Sequence, residues 1–303
     1  MPDALLAVVF AVFIWWFSTG VVLILNRLST SAVRISQVAS SALALAALAG
    51  LAHAARQPSV AGAYCAFTCA LLVWGWNELS FLSGWITGPR RTPLPPRTAG
   101  WARFVASFQA VQWHELGILC TGIVVVGVTW DAPNQVGTAT YLVLWVMRTS
   151  AKLNLFFGVR NLNEAFLPDH LAYLASFFRR RAMNPLLPIS VLAASAYLAL
   201  LISYATSAYA TSAGTSATYA VGHALVGTML ALAILEHLLL VLPLDPSAAW
   251  RWAIAKRSPA TQPHTPGKQP TTGNKDATAF SVARTTPSAG AALDSHGKLL
   301  QIP

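Results

Sequence analysis

Hydrophobic stretches longer than about 18 residues recur along this 303-residue chain and constrain its fold more than any other feature. Each stretch is long enough to cross the roughly 30 Å hydrocarbon layer of a bilayer as an α-helix. Only 10% of the residues are charged, whereas a soluble domain usually carries about 25%. The pattern therefore excludes a soluble globular fold and predicts an all-α, polytopic membrane helix bundle.

The hydropathy pattern predicts about seven transmembrane helices. The first begins at Ala4 without a basic segment before it or a cleavage site after it, so it is interpreted as a retained span and not a signal peptide. The second is rich in small residues at every fourth position, Ala42, Ala46, Gly50 and Ala54, which predicts a smooth face for close helix packing. The predicted spans cover residues 4–25, 37–55, 60–86, 104–130, 136–158, 187–205 and 219–242.

The distribution of arginine predicts the orientation of these spans. Arginines are concentrated in the connections after the first, third and fifth spans, whereas those after the second, fourth and sixth contain only Arg56. Because cytoplasmic loops are enriched in Lys and Arg, the N-terminus is expected outside and the C-terminus in the cytoplasm. The net charge of +10 is explained in this way and does not indicate a nucleic-acid partner. The arginines concerned are Arg27, Arg34, Arg90, Arg91, Arg97, Arg103, Arg160, Arg179, Arg180 and Arg181.

Two segments outside the spans have their own patterns. Between the fifth and sixth spans, large apolar residues recur at helical spacing and are followed by Arg179, Arg180 and Arg181. This pattern predicts a cytoplasmic interfacial amphipathic helix over about 166–181, with its arginines towards anionic headgroups or an acidic partner. The last 46 residues are rich in Pro, Thr, Ser and Gly, which predicts a disordered cytoplasmic tail over 258–303 after a membrane domain over 1–257.

Ionisable side chains within the spans are the candidates for a functional site. Each costs about 2.5–3.5 kcal/mol at a helix centre and therefore tends to face the protein interior. A rise of 1.5 Å per residue places all of them except His223 in the middle or the cytoplasmic half of the bilayer. Asn77 and Asn154 belong to the same polar layer. The ionisable residues are Glu78, His114, Glu115, Arg148, Lys152, His223, Glu236 and His237.

One interpretation of the polar layer is purely structural. In it, Glu78, Glu115 and Glu236 pair with Arg148 and Lys152 and tie the helices together. This role needs no ligand, because buried ions in a bundle must be paired whatever their function.

A second interpretation is a ligand site. His114-Glu115 and Glu236-His237 lie on antiparallel spans and could converge on iron, manganese or zinc. Alternatively, a single histidine could bind the magnesium of a chlorin, with nearby tryptophans as flat apolar walls. The Glu-x-x-His spacing of soluble di-iron bundles is absent, and adjacent residues point about 100° apart on a helix, so only one residue of each pair need face inward. The sequence contains no Gly-rich phosphate loop, G-x-S-x-G or H-E-x-x-H motif that would specify a reaction.

A set of longer strings is distributed over most of residues 1–257. They are Trp113–Leu116, Lys152–Glu164, Phe166–Pro168, His170–Leu171, Phe178–Arg180, Met183–Pro185, Glu236–Leu238 and Val241–Leu244. Together they resemble the photosynthetic complex assembly protein 2 family, PuhE. The resemblance implies a photosynthetic purple-type bacterium and a role in making the reaction centre and its core antenna. It implies no established catalytic residue.

The resemblance favours a membrane-integral assembly factor, located in the inner or intracytoplasmic membrane, that could handle bacteriochlorophyll. Its implied partners are the lipid bilayer, reaction-centre or core antenna subunits and other assembly factors. The alternative is a membrane-embedded metal- or tetrapyrrole-dependent enzyme of bacteriochlorophyll metabolism that uses the His and Glu residues of the polar layer. A transporter would be favoured by paired, broken helices in two related halves, and the sequence contains none.

Overall fold

The computed structural model describes residues 2–162, 164–210, 216–244 and 246–254. The predicted tail and part of the connection between the last two long helices lie outside these residues. Within them the chain is helical and forms no β-strand, which confirms the all-α fold. The helices are α1 (Pro2–Leu25), α2 (Thr30–Ala55), α3 (Val60–Leu82), α4 (Gly100–Val128), α5 (Val136–Phe157), α6 (Leu186–Ala210), α7 (Ser216–Leu239) and α8 (Arg251–Ile254), with 3₁₀ helices at Glu164–Phe166, Asp169–Phe177 and Pro246–Trp250.

Six helices in the described part of the chain are long and apolar enough to cross a membrane, namely α1, α2, α3, α4, α6 and α7. The protein is therefore a multi-pass membrane protein. The remaining long helix, α5, has 22 residues and is less apolar because it carries Arg148 and Lys152. The count of seven spans and the orientation stay predictions.

Although it is less apolar, α5 runs between the same two ends of the bundle as its neighbours. Just before it begins, the backbone N–H of Asn134 donates to the carbonyl oxygen of Ala55 at the end of α2 (3.0 Å). Where it ends, the carbonyl oxygen of Phe156 accepts a hydrogen bond from Arg103 in the first turn of α4 (2.9 Å). The helix α5 therefore reaches from the end of α2 to the first turn of α4.

The centre of the bundle is formed by α1, α3, α5 and α7. Ala7 and Ala11 of α1 pack against Ala63 and Phe67 of α3 and against Leu225 of α7, and all five are fully buried. Small side chains at these positions let the helix backbones approach closely, which is how helices associate when lipid is the solvent. Around this centre, α2 packs mainly on α3, and α6 packs mainly on α7.

The predicted small-residue face of α2 contacts its neighbours only in its second half. Ala54 is buried, and a Cβ at Gly50 would lie 3.0 Å from Cys69 Sγ of α3, whereas Ala42 and Ala46 are exposed. Because α2 is rich in Ala all around, the spacing of small residues could not determine its rotation. Leu51, which is fully buried, and Gln37, whose Nε2 donates to Ser80 Oγ of α3 (2.5 Å), determine it instead. The buried residues of α2 are Gln37, Ala44, Ala47, Leu51, Ala54 and Ala55.

The segment predicted as an amphipathic helix over 166–181 is shorter and of a different type. It is the 3₁₀ helix Asp169–Phe177, which ends before the three arginines. Leu171, Leu174 and Phe177 are spaced by three residues, the repeat of a 3₁₀ helix. They pack against Phe81 of α3 and the first half of α4. The apolar face predicted to contact the membrane therefore contacts the protein.

Three connecting segments meet at one end of the bundle. The backbone N–H of Leu94 donates to Ser176 Oγ (2.8 Å), and that of Asn161 donates to the carbonyl oxygen of Leu240 (2.9 Å). The chain after α7 also returns to α1, where Trp16 Nε1 donates to the carbonyl oxygen of Ala249 (3.0 Å). We call this end, which comprises the described residues of 83–99, 158–185 and 240–254, the basic end, because most of the arginines lie here or at the helix termini beside it.

Candidate functional site: the polar layer and the basic end

An ion pair joins α3 and α5 in the polar layer. Arg148 donates from Nε to Glu78 Oε1 (3.0 Å) and from Nη2 to Glu78 Oε2 (2.9 Å). This two-bond geometry is the strongest arrangement that a guanidinium and a carboxylate can make. The pair fixes the rotation of α3 relative to α5.

A second ion pair joins α4 and α5. Lys152 Nζ donates to Glu115 Oε1 at 2.5 Å, and each side chain is 21% exposed. Lys152 lies one helical turn after Arg148, so the two pairs lie next to each other along α5. The polar side of α5 is thus bound to two neighbouring helices by charge.

Glu236 of α7 forms no ion pair with any described residue, although the positive charge of Arg148 acts on it. Its Oε1 accepts a hydrogen bond from Trp15 Nε1 of α1 (3.1 Å). The layer therefore contains three carboxylates and two cations, and Glu236 is the carboxylate without an ion-pair partner among the described residues. Sequence reasoning missed Trp15, because a tryptophan within an apolar span gives no signal that its indole N–H has a partner.

His237 belongs to a chain of hydrogen bonds between helices. Its Nδ1 donates to the carbonyl oxygen of Ala233 (2.8 Å), and its Nε2 lies 3.0 Å from Ser150 Oγ of α5. Ser150 Oγ in turn donates to Ser190 Oγ of α6 (2.9 Å). Both ring nitrogens of His237 are thus engaged within the protein, and the residue connects α5, α6 and α7.

Asn154 connects the end of α5 with the beginning of α6. Its Oδ1 accepts a hydrogen bond from Asn184 Nδ2 (3.0 Å), and Asn184 Oδ1 accepts one from the backbone N–H of Leu186 (2.9 Å). Asn154 is fully buried. Its role is to hold helix ends together. The sequence assigned Asn154 to the polar layer, but it did not reveal the contacts of Ser150, one turn earlier on α5, or of Asn184.

His114 lies apart from these contacts, where the connection 83–99 packs against the middle of α4. Its ring is 1% exposed and stacks on Phe81, with the ring centroids 4.4 Å apart. Its backbone N–H donates to the carbonyl oxygen of Thr87 (3.0 Å). Its Nε2 has no hydrogen-bond partner among the described residues. The ring therefore has a free nitrogen but is enclosed, and a flat tetrapyrrole could reach it only if the surrounding chain moved.

The two histidine-glutamate pairs do not form a metal-binding group among the described residues. His114 packs on Phe81, and Glu236 contacts Trp15. Across residues 2–162, 164–210, 216–244 and 246–254, no group of three or more His, Cys, Asp or Glu side chains is placed to hold a metal ion.

The arginines of the basic end have different environments. Arg103 is 4% exposed and donates to the carbonyl oxygens of Phe156 (2.9 Å) and Phe177 (2.5 Å), so its charge lies at the C-terminal ends of two helices. Arg180 is exposed and lies 3.7 Å from Glu164. The backbone N–H groups of Arg179 and Arg181 donate to the carbonyl oxygens of Leu155 and Val159 (3.1 Å each). The three consecutive arginines therefore lie on an extended strip beside the end of α5.

Comparison with known proteins gives two matches. The profile of a family described as "Protein of unknown function (DUF3623)" matches residues 1–261. A relative in Rhodobacter capsulatus, described as an uncharacterized 30.4 kDa protein in the puhA 5' region, is 37% identical over 260 residues, which is 84% of this chain and 92% of that protein. No solved structure matches the chain. The resemblance to PuhE stays a prediction, since neither match carries that name. The family profile covers nearly the whole described chain, and the protein belongs to the DUF3623 family.

Proposed function

We propose that this protein is a membrane-integral assembly factor for the bacterial photosynthetic reaction centre and core antenna. The observation that carries the proposal is the relative in the puhA 5' region of Rhodobacter capsulatus, which suggests a photosynthesis-operon context. The motifs that resemble the assembly protein 2 family support the same role. The membrane would then be the inner or intracytoplasmic membrane of a phototroph.

The paired charges inside the bundle and the apolar faces on its outside support an assembly role. The charges of α5 are paired with carboxylates of α3 and α4, so they are used in holding the helices together. Large apolar side chains are exposed along α1, α4 and α6. Such faces contact lipid, and they are also the surfaces on which the spans of another membrane protein can pack. The partners are then reaction-centre or core antenna subunits, together with other assembly factors.

The test is deletion of the gene in its phototrophic host, followed by complementation with a tagged copy. We expect the absorbance of the reaction centre and core antenna per membrane protein to fall in the deletion strain and to recover with the tagged copy. Subunits of these complexes should co-purify with the tag during pigment induction. Normal complexes in the deletion strain would contradict the proposal.

The second candidate is the metal- or tetrapyrrole-dependent enzyme of bacteriochlorophyll metabolism. The unpartnered Nε2 of His114 is the observation that favours it. The deletion strain would then accumulate a pigment intermediate. The change His114→Asn would remove bound pigment or metal at normal protein abundance, whereas His237→Asn, on a histidine whose nitrogens are both engaged, would act on stability only. Full complex yield in the His114→Asn strain, without an intermediate, would reject the enzyme.

A further inference from the structure

A groove at the basic end combines aromatic rings with arginines. It lies apart from the polar layer, begins at the first turn of α4 and passes beside the end of α5. It opens to the surface and has a volume of about 390 Å³. Its lining residues are Gly100, Trp101, Arg103, Phe104, Phe156, Phe157 and Arg179.

The walls of the groove are aromatic. Trp101 is 74% exposed and stacks on Phe104, with the ring centroids 5.0 Å apart. Phe104 meets Phe156 edge to face at 6.1 Å, and Phe156 meets Phe157 at 5.4 Å. Exposed tryptophan at the end of a hydrophobic helix is typical of the membrane–water interface. The groove therefore offers an apolar surface at the depth where headgroups meet acyl chains.

The groove also carries positive charge that the described chain does not neutralise. Arg103 lines the groove, with its guanidinium carbon 3.9 Å from the centroid of the Phe156 ring. Arg179 lines the groove, and the charges of Arg179 and Arg181 are close enough to repel that of Arg103. None of the three forms an ion pair with a described carboxylate, whereas the neighbouring Arg180 pairs with Glu164. An anion is therefore the complementary charge.

We propose that this groove binds an anionic phospholipid of the phosphatidylglycerol type. The phosphodiester group lies at Arg179 and receives charge-assisted hydrogen bonds from it. The first part of an acyl chain covers Trp101, Phe104 and Phe157. Basic pockets between transmembrane helices at the cytoplasmic surface are suited to anionic headgroups. A free anion or an acidic peptide would neutralise the charge of Arg179 but would leave the aromatic rings exposed. A phospholipid does both, because it carries an anionic headgroup and an apolar acyl chain.

The experiment uses the purified full chain in detergent at fixed ionic strength. Phosphatidylglycerol or phosphatidylcholine is added at the same mole fraction, and the thermal unfolding midpoint and the lipid retained in native mass spectrometry are measured. We expect phosphatidylglycerol to raise the midpoint and to be retained. The change Arg179→Gln should weaken its binding about fivefold, since one arginine near an anionic surface contributes about 1 kcal/mol.

The matched control is Arg180→Gln, the same change at the neighbouring residue, which pairs with Glu164 outside the groove. It should leave phosphatidylglycerol binding unchanged. Should Arg179→Gln fail to fold, Trp101→Ala tests the same groove at an exposed side chain and should also reduce lipid retention. Equal effects of the two lipids, an equal loss in Arg180→Gln, or full stabilisation by inorganic phosphate alone would overturn the proposal. So would an Arg179→Gln protein that keeps its lipid and loses a co-purifying protein.

Discussion

Each cation of α5 is held by one carboxylate from a neighbouring helix, in surroundings that water reaches only in part. Lys152 and Glu115 are each 21% exposed, whereas Arg180 and Glu164 at the surface are 71% and 49% exposed. Water can replace a lost partner for Arg180 but only poorly for Lys152. The cost of removing one carboxylate should therefore differ sharply between the two pairs.

The change Glu115→Gln is expected to lower the free energy of unfolding by about 2–3 kcal/mol, because it leaves the charge of Lys152 without a counter-ion. The double change Glu115→Gln with Lys152→Gln should recover most of this loss. Glu164→Gln is the control and should cost less than about 0.5 kcal/mol. Thermal midpoints in detergent and protein abundance in membranes measure the effect. A double variant as unstable as the single one would show that the carboxylate acts through something other than Lys152.

The sequence placed Glu78, Glu115, Arg148 and Lys152 in one layer, because depth in a membrane follows from position along a helix. It could not choose the partners, since those depend on how α3, α4 and α5 are rotated about their axes. Nor could it show that the ring of His114 is enclosed by Phe81 and the connection 83–99, because this contact depends on how a loop returns to the middle of a helix.

Close packing of α5 against α2 and α3 depends on one glycine. A Cβ at Gly137 would meet Leu51 Cδ1 of α2 and lie 3.0 Å from the carbonyl oxygen of Ala66 of α3. Backbone cannot move aside as a flexible side chain can. By contrast, a Cβ at Gly127, near the end of α4, would meet nothing within 4 Å. The substitution of alanine for glycine therefore creates a steric conflict at Gly137 but not at Gly127.

We expect Gly137→Ala to lower the free energy of unfolding by about 1–3 kcal/mol, as overpacking of a close contact does. Gly127→Ala should be neutral or stabilising by up to about 1 kcal/mol, since Ala is the better helix former. The thermal unfolding midpoints of the two purified variants, compared with that of the unmodified protein, test both expectations. If Gly137→Ala were as stable as Gly127→Ala, α2 and α5 could not be in the close contact described here.

The helices themselves were more predictable than their faces. Long apolar stretches specify a helix because every backbone polar group must be satisfied inside the membrane. The rotation of α2 was not predictable, since its alanines are distributed all around it. The segment Asp169–Phe177 likewise has an apolar face at the predicted residues, but its three-residue spacing suits a 3₁₀ helix that packs on α3 and α4.

In the whole molecule, connections meet at the two ends of the bundle. Asn134, between α4 and α5, contacts Ala54 and Ala55 at the end of α2. At the basic end, Leu94 contacts Ser176, and Asn161 contacts Leu240. This pairing of connections agrees with the alternation of arginine along the sequence. It requires α5 to run the full length of the bundle, although α5 is less apolar than the other six long helices.

The topology can be measured with reporters inserted into the intact chain at four sites. Insertions after Arg103 and after Arg181 are expected to read cytoplasmic, because the arginines of the basic end are retained on that side of the membrane. Insertions within 129–135 and within 207–216 are expected to read periplasmic.

The sites on either side of α5 give the sharpest comparison. Between 129–135 and Arg181, α5 is the only long helix that the structure describes. Opposite readings at these two sites would establish α5 as a span with its two ion pairs inside the membrane. The same reading at both would leave six spans, and Arg148 and Lys152 would then lie at a membrane surface, where the loss of Glu115 should cost no more than the loss of Glu164.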